Sequence, residues 1–263
     1  QTKAGRFYEI DGEALPSVTN ILGCIGTPAL LNWAANTERE LVINAAANFY
    51  EDIHGTPRMT RPVFISSLST RIGKEKAHKK EMEKAGEIGS QVHSVIEWNL
   101  RKSLGQVVGP DPKIIDKALW AFMSFQDWCN SVRIKPLAIE QVVYSKEYGY
   151  AGTLDLLAEI DHDGGRKLAL IDFKTGKAVY PEAFLQNAAY RNALIEMGHG
   201  IPDIGMIVRL PKNETDPEFE AVPVPEWEPL FLVFLAVKKL WVWASAEEAK
   251  RRAEWERTRD SVS

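Results

Sequence analysis

Two aspartates and a lysine occur in neighbouring stretches whose composition could support acid, base or metal chemistry. Polar and apolar residues alternate over 152–160, which predicts a half-buried strand carrying Asp155 on its polar face. A second predicted strand, residues 168–174, presents Asp172 and Lys174 on one face, because side chains alternate along a strand with a period of two. Two carboxylates and an amine therefore belong to adjacent strands.

The turn between these strands fixes how they pair. The Asp-Gly pair at 163–164 is typical of a two-residue hairpin, whose central positions need positive φ. Counting outward from His162 opposite Gly165 places Asp155 opposite Asp172. Opposed like charges destabilise a sheet, and buried carboxylates are costly without a cation. The register therefore predicts a divalent metal ion at this point.

Hard oxygen ligands favour Mg²⁺ or Mn²⁺. Such an ion polarises a phosphoryl oxygen and lowers the pKa of a bound water. The same count places Lys174 opposite Thr153, where its ammonium could orient the water and offset charge developing in the transition state. This chemistry is hydrolysis of a phosphate ester.

The order of these residues along the chain resembles a known family. Gly-Thr-Leu-Asp, then Ile-Asp-Phe-Lys, then a helix carrying Gln186 and Tyr190, is similar to the PD-(D/E)XK nuclease superfamily, in its RecB-like branch with a trailing Q-x-x-x-Y motif. Within that branch the chain most resembles the phage and mitochondrial genome maintenance exonucleases. The resemblance covers residues 86–210, and the N-terminal part only through short stretches such as Leu-Pro-Ser-Val-Thr-Asn-Ile-Leu. D-x-K alone would be a weak signal, whereas the ordered set is specific.

The resemblance assigns roles to the central residues. It implies that Asp155 and Asp172 bind the metal, that the Phe173 carbonyl is a further ligand, and that Lys174 is catalytic. A lone helical histidine is more often packed or solvated than a ligand. However, Gly-x-x-x-His-x-x-x-Glu upstream of the aspartates resembles the RecB-like branch, where this histidine, here His93, completes the metal sphere.

Two glutamates are additional candidates. Glu97 lies one helical turn after the histidine and is a candidate for contacting the metal ligands without binding the metal itself. Glu140 stands among apolar neighbours in a predicted strand over 137–144 and could simply be exposed. The family pattern places an acidic residue on the first strand near the metal, which makes Glu140 a candidate ligand.

Several residues are candidates for DNA contacts. Gln186 and Tyr190, at i and i+4, share one face of a predicted helix. They could form a surface polar pair, but the resemblance implies contacts to the phosphate backbone or to the active-site side chains. Lys177 and Arg191 could add phosphate contacts.

A basic run over 71–84 is the best charged patch in the sequence. Such a run is as consistent with a solvated helix face as with a phosphate grip. As a hypothesis, Lys79 and Lys80 belong to a helical wall that guides a single strand.

Composition limits the alternatives. The 263 residues carry a net charge of −4, so a polyanion must be held by a local basic patch rather than by bulk charge. Cys24 and Cys129 are too few for a disulfide framework or a four-cysteine iron–sulfur cluster. The longest apolar run, 229–237, is far shorter than the ~18 residues of a membrane helix.

The element order predicts an α/β fold: a PD-(D/E)XK, restriction-endonuclease-like core with a central mixed sheet flanked by helices, and helical elaborations at both ends. The predicted divisions are a helical extension over 1–85, the nuclease core over 86–225 and a C-terminal helix on the core over 226–263. The expected activity is a Mg²⁺- or Mn²⁺-dependent DNA exonuclease acting on single strands or free ends in replication, repair or recombination. The alternative is a catalytically inactive module that binds DNA ends.

The expected partners are DNA and proteins of recombination or replication, with no membrane. The expected compartment is the cytoplasm of a bacterial or phage-infected cell, or an organelle after removal of a targeting segment.

Overall fold

The computed structural model describes residues 5–25, 28–53, 59–73 and 76–260. The chain divides into two compact units, one made of Gln1–Ile25 with Gly89–Ser263 and the other of Gly26–Ile88. The N-terminal hairpin and the C-terminal helix thus belong to the unit that contains the main sheet. Part of the predicted extension over 1–85 falls in that unit, and so does the predicted helix over 226–263, which was expected to pack on the core.

The described part of the chain contains seven strands in two sheets. The strands are β1 Phe7–Ile10, β2 Glu13–Pro16, β3 Lys135–Ser145, β4 Tyr150–His162, β5 Gly165–Lys174, β6 Ile204–Arg209 and β7 Glu220–Pro223. β1 and β2 form a hairpin, and the other five form one sheet in the order β3-β4-β5-β6-β7. Only the β5–β6 pair is parallel, so the sheet is mixed, as predicted.

Seven helices accompany the strands in the described residues. They are α1 Val18–Leu22, α2 Pro28–Ile53, α3 Arg61–Ile72, α4 Ala77–Ser103, α5 Asp116–Val132, α6 Pro181–Glu196 and α7 Trp227–Asp260. α6 connects β5 to β6, because parallel neighbours need a crossover rather than a tight turn. The molecule is therefore an α/β protein with a mixed five-stranded sheet flanked by helices.

The predicted register of the central hairpin is confirmed from the turn as far as Leu156, whereas the predicted pairs of Asp155 with Asp172 and of Thr153 with Lys174 lie beyond the observed ladder. His162 pairs with Gly165, and the ladder continues without a shift to Leu156 opposite Ile171. Asp163, at the turn, has φ +47°, the conformation that a two-residue turn of this kind requires. The ladder ends one pair before the two aspartates, so the strands open where the carboxylates lie.

Consecutive residues at the end of β5 point into different layers. Asp172 contacts Gln186 of α6, whereas the ring of Phe173 packs edge-on against Phe125 and Trp128 of α5 at centroid distances of 5.4 and 6.3 Å. Helices therefore cover both faces of the sheet, as expected for adjacent positions of a pleated strand.

The alternation of β4 is interrupted beside Asp155. Leu154 and Leu157 belong to the same core cluster, packed with residues of α6 such as Ala189, although an odd number of positions separates them. In a regular strand they would face opposite sides. The predicted unbroken alternation of this strand is therefore wrong at Asp155 and Leu156, and the irregularity coincides with the carboxylates.

The N-terminal hairpin lies next to β4 and is joined to it by a bridge. Ser17, directly after β2, forms a parallel bridge with Ala151. Its amide donates to the Arg6 carbonyl at 3.0 Å, and its hydroxyl caps α1 by accepting from the Asn20 amide. The hairpin thereby lies beside the strand that carries Asp155.

The unit over residues 26–88 is helical. Phe49 of α2 packs against Phe64 of α3 at 5.1 Å, and Arg71 bonds to Asp52 at 2.6 Å. His78 Nδ1, at the start of α4, lies 2.7 Å from Glu38 Oε1. Residues 74 and 75 of the predicted basic run lie outside the described residues.

α4 begins at Ala77, nine residues before the predicted start of the nuclease core at 86. Gly86 was expected to mark a boundary, but it lies inside the helix. An internal glycine costs about 1 kcal/mol relative to alanine, and the strong helix formers before it outweigh that cost.

α7 is anchored by one face and exposed on the other. Phe231 and Phe234 are buried in the core cluster with Tyr150, whereas Leu232 and Trp243 are 67% and 63% exposed. By length and composition alone α7 is apolar enough to cross a membrane, with a mean hydropathy of 1.5 over its most apolar segment, of which 11% is buried. A single helix of this kind is weak evidence for a membrane span.

Candidate metal centre

Three side chains from α4, β3 and β4 converge at the opened end of the sheet. His93, Glu140 and Asp155 offer ligand atoms that all lie within 4.8 Å of one another. His93 Nδ1 is 3.6 Å from an oxygen of each carboxylate. The group contains the predicted ligands His93 and Asp155, together with the additional candidate Glu140.

Glu140 occupies a strained backbone position. Its φ of +47° lies in the left-handed region, which a non-glycine residue inside a strand rarely adopts. Its neighbours Ile139 and Gln141 pair with Leu156 and Leu154, so Glu140 faces Asp155 without joining the ladder. Such backbone strain costs on the order of 1–3 kcal/mol and is concentrated at active sites and ligand-binding sites.

The side chain of Asp155 replaces the missing ladder bond. Its Oδ2 accepts from the Phe173 amide at 2.7 Å, which fixes the carboxylate against β5. The Phe173 carbonyl lies 3.2 Å from His93 Nε2. The carbonyl predicted as a further ligand is therefore at the edge of the same group.

Asp172 is held in a second, adjoining network. The residue is 2% exposed, and its Oδ2 lies 2.6 Å from Lys174 Nζ. Its Oδ1 accepts from Gln186 Nε2 at 3.1 Å, and Lys174 donates to Gln186 Oε1 at 3.2 Å. Asp172 falls outside the three-residue group and instead pairs with the predicted catalytic lysine.

Gln186 and Tyr190 are part of this network. Gln186 is 9% exposed and Tyr190 4%, and the Gln186 amide also donates to the Tyr190 hydroxyl at 3.3 Å. Gln186 therefore contacts Asp172 and Lys174 directly, and Tyr190 contacts Gln186. Contact with the active-site side chains was one of the two roles that the resemblance implied. The alternative of a surface pair is wrong, because α6 turns this face towards the sheet.

A glycine makes this packing possible. A Cβ atom at Gly152 would lie 2.3 Å from Cε1 and 2.7 Å from the hydroxyl of Tyr190. Because real Cβ atoms never approach so closely, the first residue of the Gly-Thr-Leu-Asp motif admits the tyrosine ring. The motif thus positions α6 as well as supplying Asp155.

The concentrated negative charge changes the acid–base properties of the site. Burial lowers the pKa of His93, but the carboxylates of Asp155, Glu140 and Asp172 outweigh it and raise that pKa from 6.5 to about 9. Burial raises the pKa of Asp172 to about 6 against the opposing effect of Lys174. Without a metal, the imidazole therefore carries a proton that partly compensates the carboxylates.

Lys174 retains its charge despite burial. Burial lowers the pKa of its amine, but Asp172 and then Asp155 raise it by more, so the pKa lies above the ordinary lysine value. The ammonium is therefore a fixed positive charge between the carboxylates and α6.

The donor set fits a divalent metal. One imidazole and two carboxylates within reach of one ion form a mixed nitrogen and oxygen set, which suits Mn²⁺ and, with more water, Mg²⁺. Asp172 Oδ2 is buried and, apart from its ion contact with Lys174, has no hydrogen-bond partner. His93, Glu140 and Asp155 would hold the ion, with Asp172 on its flank.

The structure places the other candidates away from these two networks. Glu97 pairs with Arg101 at 2.8 Å, and Arg101 in turn donates to the carbonyl of Ile139, the residue before Glu140. Glu97 therefore supports the strand rather than His93. Arg191 stacks on the Trp227 ring at 5.3 Å, on the α7 side of α6.

Three predicted lysines occupy exposed positions. Lys177 is exposed in the loop after β5. Lys79 and Lys80 are exposed on the part of α4 that belongs to the unit of residues 26–88, where Lys80 lines a groove of about 550 Å³. Their contacts with DNA stay predictions.

Two residues near the site have no counterpart among the predicted site residues. The Tyr8 hydroxyl lies 2.9 Å from Thr153 Oγ1, and the Arg6 guanidinium lies 3.5 Å from the same oxygen. Thr153 lies two positions before Asp155 on β4. The sequence separation of about 145 residues explains why no local pattern revealed them.

Comparisons with known proteins add little. No family model matches the chain, and no curated protein matches it. Among solved structures, the chain is similar to the crystal structure of SSO0001, with 12% identity, a TM-score of 0.29, and coverage of 60% of this chain and 74% of that one. At that TM-score the likeness does not establish a shared fold.

Proposed function

We propose that this chain is a metal-dependent deoxyribonuclease with a PD-(D/E)XK core. The observation that carries the proposal is the convergence of His93, Glu140 and Asp155 next to the Asp172–Lys174 pair. Bringing two partly buried carboxylates together beside the buried Asp172 is costly unless a cation compensates them. A retired site would have no physical reason to keep them.

The residues divide the work of hydrolysis. A bound divalent ion would supply Lewis acidity towards a phosphoryl oxygen and a water. Lys174 presents a permanent ammonium that offsets charge developing on the phosphate. Gln186 accepts from that ammonium and donates to Asp172, which positions the ammonium beside the carboxylate. The Phe173 amide fixes Asp155 in the same way.

The finer assignment to an exonuclease rests on the resemblance to phage and mitochondrial genome maintenance enzymes. The proposed substrates are single strands or free DNA ends, and the proposed partners are proteins of replication, repair or recombination. The proposed compartment is the cytoplasm of a bacterial or phage-infected cell, or an organelle. Fold-level likeness does not fix such details. They are part of the proposal and depend on the assay below.

The test uses end-labelled single-stranded DNA, its circular counterpart and an RNA of the same sequence, each with Mg²⁺, Mn²⁺ or EDTA. The expected result is metal-dependent shortening of the linear DNA alone, reduced by a factor on the order of 10²–10³ or more in Lys174→Ala. Arg166→Ala is the matched control, because it removes an exposed charge near the hairpin turn, where Arg166 pairs with Asp161.

Other outcomes have distinct meanings. Cleavage of circles at the linear rate would replace the exonuclease by an endonuclease. Binding of DNA without cleavage under any metal would show that the chain is an end-binding module and would overturn the proposal.

A further inference from the structure

We propose that Arg6, held by Tyr8 and Thr153, binds a backbone phosphate of the substrate strand next to the phosphate that is cleaved. The inference rests on the proposed function, since it assumes that the strand passes the Asp155 carboxylate. It assigns a phosphate-binding role to the N-terminal hairpin, whose sequence otherwise indicates only packing.

The backbone of Arg6 is fixed on both sides. Its carbonyl accepts from the Ser17 amide, and Ser17 is bridged to Ala151 of β4. Gly5 approaches Asn20 of α1 so closely that a Cβ atom would lie 2.3 Å from the amide oxygen of that side chain. The start of the hairpin is thereby locked to the strand that carries the site.

The guanidinium is presented rather than paired. It lies over the Tyr8 ring at 4.9 Å and reaches Thr153 Oγ1, to which the Tyr8 hydroxyl also bonds. Among the residues that the structure describes, no carboxylate forms an ion pair with Arg6. A stacked, exposed guanidinium with free donors is suited to a phosphate, which accepts two parallel hydrogen bonds.

The position matches a neighbouring phosphate. Thr153 and Asp155 are two residues apart on β4, about 6.5–7 Å along the strand. Neighbouring phosphates of an extended single strand have a comparable separation. The carboxylates of the site repel a polyanion, and a guanidinium on the adjoining stretch of β4 attracts the strand where those carboxylates do not reach it.

The experiment measures binding of a fluorescent single-stranded oligonucleotide by anisotropy in Mg²⁺, on the Lys174→Ala background to prevent cleavage. Arg6→Ala is expected to weaken binding about tenfold and to reduce the slope of log affinity against log salt by about one phosphate contact. Arg6→Lys keeps the charge and should restore the slope but only part of the affinity. Arg166→Ala is the matched control for the loss of one positive charge from the same unit.

Substitution of single linkages identifies the contact. In the oligonucleotide, a neutral methylphosphonate replaces one phosphate at a time. At the linkage that Arg6 contacts, it should weaken binding of the protein with Arg6 and leave binding of Arg6→Ala unchanged. At every other linkage it should affect the two proteins equally. Equal affinities and slopes for Arg6→Ala and Arg166→Ala would overturn the inference. So would a penalty in Arg6→Ala that is the same at every linkage.

Failure of this inference is distinguishable from failure of the proposed function. Cleavage of DNA by the unaltered chain, together with an Arg6→Ala protein that binds like the control, overturns only the role of Arg6. A linkage-specific loss of binding in Arg6→Ala, in a chain that cleaves nothing, supports the phosphate contact and overturns the nuclease. Absence of DNA binding by either protein overturns both.

Discussion

At the scale of single residues, the site combines ordinary side chains with one unusual backbone position. The neighbouring positions of Asp155, Asp172 and Lys174 were predictable. A two-residue turn fixes the register of a hairpin, and period-two alternation fixes which residues near the turn share a face. The left-handed conformation of Glu140 was not predictable, because glutamate carries no local signal for positive φ. Its position depends on strands and a helix that are distant in sequence.

The strain at Glu140 leads to a prediction about stability. Glu140→Gly and Glu140→Ala both remove the carboxylate, but only glycine adopts positive φ without a steric cost. The glycine variant should therefore unfold with a free energy about 1 kcal/mol greater than that of the alanine variant, measured by urea denaturation in EDTA.

The neighbouring position supplies the control. At Gln141, which pairs regularly with Leu154, the order should reverse, because glycine inside a regular strand is about 0.5–1 kcal/mol less stable than alanine. If Glu140→Ala had a higher free energy of unfolding than Glu140→Gly, the backbone strain at position 140 would be refuted.

At the scale of elements, the contact between β4 and α6 carries the second network. The sequence predicted that Gln186 and Tyr190 share a helical face, and the hydrogen bond between them confirms it. It did not predict that this face is buried, because the apolar residues of α6 surround the helix and give no clear amphipathic stripe. Burial of this face follows from the close approach that Gly152 permits.

The role of Gly152 can be tested by a double-mutant cycle. Gly152→Ala places a methyl group in steric overlap with the edge of the Tyr190 ring and its hydroxyl, so the ring must move, with a cost of about 1–3 kcal/mol in the free energy of unfolding. In a Tyr190→Ala background the methyl group has room, and the same change should cost much less. Urea denaturation of the four proteins gives the coupling energy.

Additive effects in this cycle would contradict the proposed contact. A further readout is cleavage, which Gly152→Ala should lower because displacement of Tyr190 removes a hydrogen-bond partner of Gln186.

At the scale of the whole molecule, α7 covers part of the hydrophobic core of the sheet-containing unit. The predicted C-terminal helix exists, and beyond its buried residues it carries Trp243 and Trp255, which are 63% and 62% exposed. The residues of α7 that belong to the core cluster or pack against it lie between Trp227 and Trp241, which is less than half of the helix. Sequence hydropathy does not distinguish the two faces, because apolar residues occur on both.

The contribution of α7 to the core can be measured with a matched pair. Phe234→Ala removes a side chain with no exposed surface and should lower the free energy of unfolding by about 3–5 kcal/mol. Leu232→Ala, on the exposed face of the same helix, should change it by less than about 0.5 kcal/mol. Equal, small effects in detergent-free buffer would show that α7 does not close the core.

The most direct test of the account compares metal binding with cleavage in the same samples. Mn²⁺ occupancy is followed by electron paramagnetic resonance while the rate of DNA cleavage is measured at each Mn²⁺ concentration. Glu140→Gln removes a predicted ligand with little change in size, and Glu97→Gln is its control, since Glu97 contacts Arg101 instead.

The account predicts that binding and cleavage rise together in the unaltered chain, that Glu140→Gln moves both to higher Mn²⁺ concentration by about 10-fold or more, and that Glu97→Gln moves neither. Cleavage that persists in Glu140→Gln after Mn²⁺ binding is lost, or binding that Glu140→Gln leaves unchanged, would contradict it.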